Sequence, residues 1–117
     1  MSAELVAGVA IDASSIDAAF EALPPEQVVN GAPLARAHDL LALPGGAIGV
    51  WEMTAGVATS IEEDEVFVVL GGSATIEFDE PPLPPVDLGP GVIVRLAAGM
   101  RTTWTVRETI SKVYITL

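Results

Sequence analysis

The sequence predicts an all-β fold, a sandwich, jelly roll or barrel, with one short helix before it. Short runs of β-branched and aromatic residues recur at close spacing through most of the chain, about eight or nine in all. Turn clusters punctuate them at Pro44-Gly45-Gly46, Gly71-Gly72, Gly89-Pro90-Gly91 and Ala98-Gly99. Closely spaced strands with turn signals are the mark of small all-β domains. The chain has 117 residues, 50% of them hydrophobic, which is enough for one domain with its own core.

Residues 1–13 are apolar and alanine-rich without a clear period, and read as a strand or an ordered arm. Ile16, Ala19, Phe20 and Leu23 then fall at i, i+3, i+4 and i+7. Ser14 with Asp17 resembles a capping box, and Pro24-Pro25 ends the pattern, so one short helix is expected here. Residues 39–53 read as a hairpin around Pro44-Gly45-Gly46. Glu65 to Leu70 and Ser73 to Phe78 read as two strands divided by Gly71-Gly72. The following segment holds four prolines within five residues, which suits a hairpin loop at a sheet edge and no central strand. Val92 to Leu96, Thr102 to Val106 and Lys112 to Leu117 complete the strands. We expect an arm with the short helix over 1–21 and a barrel over 22–117.

Composition excludes several functions. Five basic residues against sixteen acidic give a formal net charge of −11. Such a chain repels phosphate backbones, so neither nucleic acid nor an anionic membrane is an expected partner. There is no cysteine, hence no disulfide, thiol nucleophile or thiolate metal site. His38 is the single histidine, which excludes any site needing two imidazoles from one chain. The N-terminal stretch carries Glu4 and no Lys or Arg, unlike a secretory leader, and no apolar run is long enough to span a bilayer. A cytoplasmic location is expected.

Two phrases carry a resemblance. Glu65 is followed seven residues on by Gly72 (EVFVVLGG), and Gly91 and Gly99 bracket a strand in LGPGVIVRLAAG. They resemble the two halves of the cupin signature, which implies a cupin (RmlC-like) jelly-roll barrel. Residues 24–41, Gly49 to Glu52, Gly56, Thr103 to Val106 and Ser111 to Tyr114 form a series similar to the small cupins related to ureidoglycine aminohydrolase. The resemblance places the first-half histidines on Thr59 and Ile61, or with one more intervening residue on Ala58 and Ser60. It places the second-half histidine on Thr102. Only the glutamate, Glu65, is retained. Imidazole-rich sites suit iron, nickel and zinc. With these substitutions no metal and no other cofactor is expected, and a metal-dependent aminohydrolase activity is in doubt.

Glu65 is expected to face inward, with Phe67 and Val69 on its side of the strand. It is the candidate catalytic group, able to move a proton or bind a ligand. Its bland alternative is a carboxylate pointing into water, as the run Glu62-Glu63-Asp64 suggests for those three. Trp51, Thr59, Ile61, Phe67, Thr102 and Trp104 are the candidate ligand-binding residues, aromatic walls with hydroxyls between them. Arg95 reads as an outward residue or a carboxylate anchor. Lys112 and Tyr114 read as parts of a strand packing on the barrel. The expected ligand is a small organic acid or planar metabolite held by a metal-free barrel. The alternative is an enzyme of the ureidoglycine aminohydrolase or isomerase type. A homodimer is expected, with residues 1–13 as an exchanged arm.

Overall fold

Two long strands form the spine of the molecule in the computed structural model, which describes residues 4–15 and 17–117. They are β6 (Glu65–Glu80) and β9 (Arg101–Thr116), paired antiparallel along their length. Around them lie β1 (Glu21–Ala22), β2 (Val28–Asn30), β3 (Leu34–Leu43), β4 (Gly46–Met53), β5 (Gly56–Ile61), β7 (Leu83–Leu88) and β8 (Ile93–Leu96). Both spine strands bend midway and enter a second sheet. Residues 110–116 of β9 pair with β4, whereas residues 101–106 pair with β5. Residues 65–68 of β6 pair with β8, and residues 74–78 pair with β7. One layer therefore runs β1-β3-β4-β9-β6-β8 and the other β2-β5-β9-β6-β7. This is a jelly-roll barrel, as the sequence predicts.

The bend explains why four expected strands are two. Gly71-Gly72 does not end β6; it lets β6 cross β9 closely while pairing continues through register shifts. Gly72 has φ +94, and a Cβ there would run into the backbone of Thr109. Only glycine combines that conformation with that approach. The proline segment also differs from expectation. Pro81 and Pro82 form the turn, while Pro84 and Pro85 lie within β7. Strand β7 is an edge that pairs only with β6, so missing amide donors cost it little.

The expected helix at 14–23 does not form. Ser14 is not a cap: its amide and hydroxyl both donate to the Asp12 carboxylate, at 2.9 and 2.6 Å. The segment instead runs extended into β1, and Pro25–Gln27 forms a single 3₁₀ turn. Phe20 lies beneath the Arg36 guanidinium, 4.3 Å from ring centroid to Cζ, and Leu23 packs on the core. Ile16, part of the helical pattern, lies outside the described residues. A ten-residue helix is marginal by itself, and these tertiary contacts replace it. The arm rests on its own barrel, with the Leu5 amide donating to the Leu40 carbonyl at 2.9 Å.

The core fills the space between the layers. Phe67, Val69, Ala74, Ile76, Leu96 and Ile110 are fully buried there.

Candidate functional site

Strand register determines which side chains share the interior of the first layer. Lys112 lies between Trp51 and Val69, Tyr114 between Gly49 and Phe67, and Thr116 between Ala47 and Glu65. Alternation turns all of these to one side. From the second layer Ala58 lies opposite Trp104, and Ser60 opposite Thr102. Between the layers is a cavity of about 290 Å³, open to solvent, bounded by Trp51, Trp104, Glu62, Glu65, Lys112 and Tyr114.

Lys112 is the centre of the site. It is 6% exposed, although lysine is almost never buried without a partner. Its Nζ donates to Glu65 Oε1 at 2.5 Å. The ammonium also lies 4.3, 4.8 and 5.2 Å from the ring centroids of Phe67, Trp51 and Trp104. Those distances fall within cation–π range. The three rings form a cage: Trp51 meets Trp104 edge-on at 5.4 Å, and Phe67 lies tilted 5.8 Å from Trp104.

Glu62 locks the cage. It turns in from the β5–β6 loop, and its Oε2 accepts from Thr102 Oγ1 at 2.7 Å and from Trp104 Nε1 at 3.0 Å. Ser60 Oγ donates to its other oxygen at 3.4 Å. The carboxylate thus fixes one indole plane and satisfies a hydroxyl that has no access to water. Asp64, two residues on, accepts the Ala98 amide at 3.0 Å and ties the β8–β9 loop to the same wall.

Tyr114 closes the side. Its hydroxyl donates to Asp39 Oδ1 in a short hydrogen bond. Burial first, then the hydrogen bond and charge of Asp39 and the charge of Glu65, push the phenol well above its ordinary value of 10.0. Its ring needs Gly49 beside it, because a methyl group there would overlap the Tyr114 hydroxyl.

The sequence-predicted residues divide into three groups. Glu65, Trp51, Thr59 and Trp104 line the cavity, Thr59 at its margin with its hydroxyl 3.4 Å from the Gln27 carbonyl. Phe67 and Thr102 are wholly buried behind the cavity, one supporting the ammonium and the other donating to Glu62. Ile61 is 63% exposed and lies outside the site. The reason is register: Ala58 and Ser60 face inward on β5, and a one-residue slip moves a whole set to the other face. Lys112 and Tyr114, expected only to pack on the barrel, line the cavity, and Glu62 is no solvated carboxylate. Arg95 is exposed. A signal for Lys112 was available, since it is the only lysine in the chain.

The donors at the cupin metal position do not suit a metal. Those positions hold Ala58, which offers no ligand atom, with Ser60, Thr102 and Glu65, where Thr102 is committed to Glu62 and Glu65 to an ammonium. Among the described residues no group of three or more His, Cys, Asp or Glu could hold an ion.

A two-layered antiparallel jelly roll around a ligand-sized cavity, with a glutamate facing in from the central strand, defines a cupin barrel. Within that class the chain belongs to the EutQ-like cupin domain family, which matches residues 42–114. The chain is similar in structure to EutQ from Clostridium difficile, at 22% identity and a TM-score of 0.61 over 72% of this chain and 62% of that one. It is similar to a protein described as ethanolamine utilization protein Q from Salmonella typhimurium, at 16% identity and 0.69 over 99% and 91%. It is also similar to a protein of unknown function from Pseudomonas syringae pv. tomato, at 18% and 0.71 over 86% and 44%. The chain therefore spans less than two thirds of the Clostridium protein and less than half of the Pseudomonas one. At these identities the likeness shows the fold alone. No curated protein matches the chain. Among the described residues no helix is long and apolar enough to cross a membrane.

Proposed function

We propose that this cupin is a small-molecule-binding barrel that works without a metal. The observation that carries the reading is the open cavity bordered by Trp51 and Trp104, with the Lys112–Glu65 pair on its wall. Its volume is at the lower end of the range for ligand sites, so the ligand is small: a planar metabolite or a short organic acid. The indoles supply flat apolar walls and the ion pair supplies orientation. The protein would act as a carrier, a sensor or an accessory subunit.

An aminohydrolase of the ureidoglycine type is the finer family reading. It has less support, because its chemistry depends on a metal and the donors here do not suit one. The name of the Salmonella relative supplies no ligand at 16% identity.

Both tryptophans line the cavity, so their fluorescence tests the proposal directly. A screen of small acids and planar heterocycles should yield ligands that quench it and raise the melting temperature. Manganese, iron, nickel and zinc should leave the melting temperature unchanged. A shift of several degrees with one of these metals would sink the metal-free reading and favour the enzyme.

A further inference from the structure

Lysine is ordinarily a surface residue. In this chain the surface has none: the one lysine, Lys112, is inside the barrel and borders the cavity. Its pairing group is a carboxylate 12% exposed at the side chain, itself on the cavity wall. An amine held against a carboxylate that can take its proton is a nucleophile with its base beside it, the arrangement by which lysine attacks carbonyl carbon. We propose that Lys112 captures a small aldehyde as an imine inside the cavity, with Glu65 carrying the protons. This rests on the cavity being a small-molecule site and names the class of molecule.

The step balances within the pair. Glu65 Oε1, already hydrogen-bonded to Nζ, takes one ammonium proton and leaves a neutral amine. The amine nitrogen attacks the aldehyde carbon. The C–N bond forms, the carbonyl π pair moves to oxygen, and Glu65 returns the proton to that oxygen. A second proton then passes from nitrogen through Glu65 to the hydroxyl, the C–O bond breaks, and water leaves. The product is a protonated imine beside the Glu65 carboxylate, and nothing is oxidised or reduced. Charge is conserved at the position it held before. The cage of Phe67, Trp51 and Trp104 that surrounds the ammonium therefore surrounds the iminium as well. The indoles and Met53 remain to contact the rest of the aldehyde.

The composition makes the test clean. Benzaldehyde and sodium cyanoborohydride at pH 7 can alkylate only Lys112 and the α-amine, and peptide mass mapping separates them. Without activation the α-amine labels first, because at pH 7 it is deprotonated on the order of a hundredfold more often than an ordinary lysine. The proposal expects Lys112 to label first in the folded wild-type protein. It expects Glu65→Gln to slow that labelling on the order of a hundredfold, the lower end of a general acid–base contribution. Labelling of the α-amine with Lys112 untouched overturns the proposal, and this wild-type comparison stands whether or not the variant folds. Benzyl alcohol, the same size without the carbonyl, separates the two levels. If it quenches tryptophan fluorescence while Lys112 stays unlabelled, the imine fails and the cavity reading stands. If neither benzyl alcohol nor benzaldehyde changes the fluorescence and Lys112 stays unlabelled, both fail.

Discussion

Replacing Lys112 with methionine leaves an unbranched side chain one atom shorter and of similar volume, and removes its charge. The wild-type pair is nearly dry, with side-chain exposures of 7% for Lys112 and 12% for Glu65. Removing one partner of a buried pair costs about 3–5 kcal/mol, because the other charge stays buried and uncompensated. The cavity gives Glu65 some access to water, which argues for the low end, about 3 kcal/mol. For a chain of this size that lowers the melting temperature by roughly 12 °C. Glu65→Leu should cost about as much by stranding the ammonium. The double variant Lys112→Met with Glu65→Leu leaves no charge behind and fills the same volume. Replacing a whole buried pair by apolar groups is often neutral, so it should melt within a few degrees of wild type. Thermal and urea unfolding of the four proteins form a double-mutant cycle that reads the coupling directly. A double variant destabilised by the sum of the singles, about 6 kcal/mol, would refute the reasoning. It would mean the two charges do not depend on one another.

Three further outcomes are expected. Glu62→Ala orphans the fully buried Thr102 hydroxyl and the Trp104 indole N–H, and should cost about 3 kcal/mol. It should also broaden or shift the tryptophan emission, since the Trp104 indole N–H loses its acceptor. Tyr114 is the single tyrosine, so absorbance near 295 nm follows it alone. Its raised value means the folded protein keeps the proton where the unfolded chain has lost it. Stability is then undiminished below pH about 10 and falls as pH rises through and above that value; a native tyrosine titrating at the same pH as the urea-unfolded one would contradict this. Sedimentation at micromolar concentration should find about twice the chain mass of 12.1 kDa. Ile93→Glu, on a residue 67% exposed, should return the protein to one chain without unfolding it; a wild-type monomer would end the homodimer expectation.

The fold was largely legible because its signals are local. Pro44-Gly45-Gly46 is a turn signal between two apolar runs and joins β3 to β4 as a hairpin, and Glu65 with Gly72, Gly91 and Gly99 keeps the spacing of the two halves of the barrel. What was not legible depends on distant contacts. Nothing in Gly71-Gly72 says that the strand bends and goes on; that follows from the backbone of Thr109 crossing beside it. The helical spacing of Ile16 to Leu23 is overridden by Arg36 over Phe20, a contact between residues sixteen apart. The site was half legible for the same reason. Glu65, Trp51 and Trp104 stand out by type and alternation. Glu62 cannot be told from Glu63 or Asp64 until the loop turns it toward Thr102.

Lys112 and Tyr114 were misread for a deeper reason. In the last half of β9, Lys112, Tyr114 and Thr116 alternate with Val113 and Ile115. The usual rule sends the polar set to water and the apolar set to the core. A barrel that encloses a polar cavity reverses the rule, because its interior is where the hydrogen bonds are needed. Here Lys112 meets Glu65 inside, and Tyr114, on the cavity wall, reaches out to the exposed Asp39. Val113 and Ile115 face outward beside Val66 and Val68 of β6 and Ile48 and Val50 of β4. The arm covers one end of that outer row at Val50 and Leu40, and Ile93 of β8 continues it at the other, opposite Val68. At this end of β9 the outer positions are uncharged, at Val113 and Ile115, while the charges of Lys112 and Glu65 lie within. The ligand site and the apolar outer row are two consequences of one pattern of alternation. A one-residue shift of β9 would exchange them, so the register that places Lys112 beside Glu65 also determines the surface on which another copy could pack.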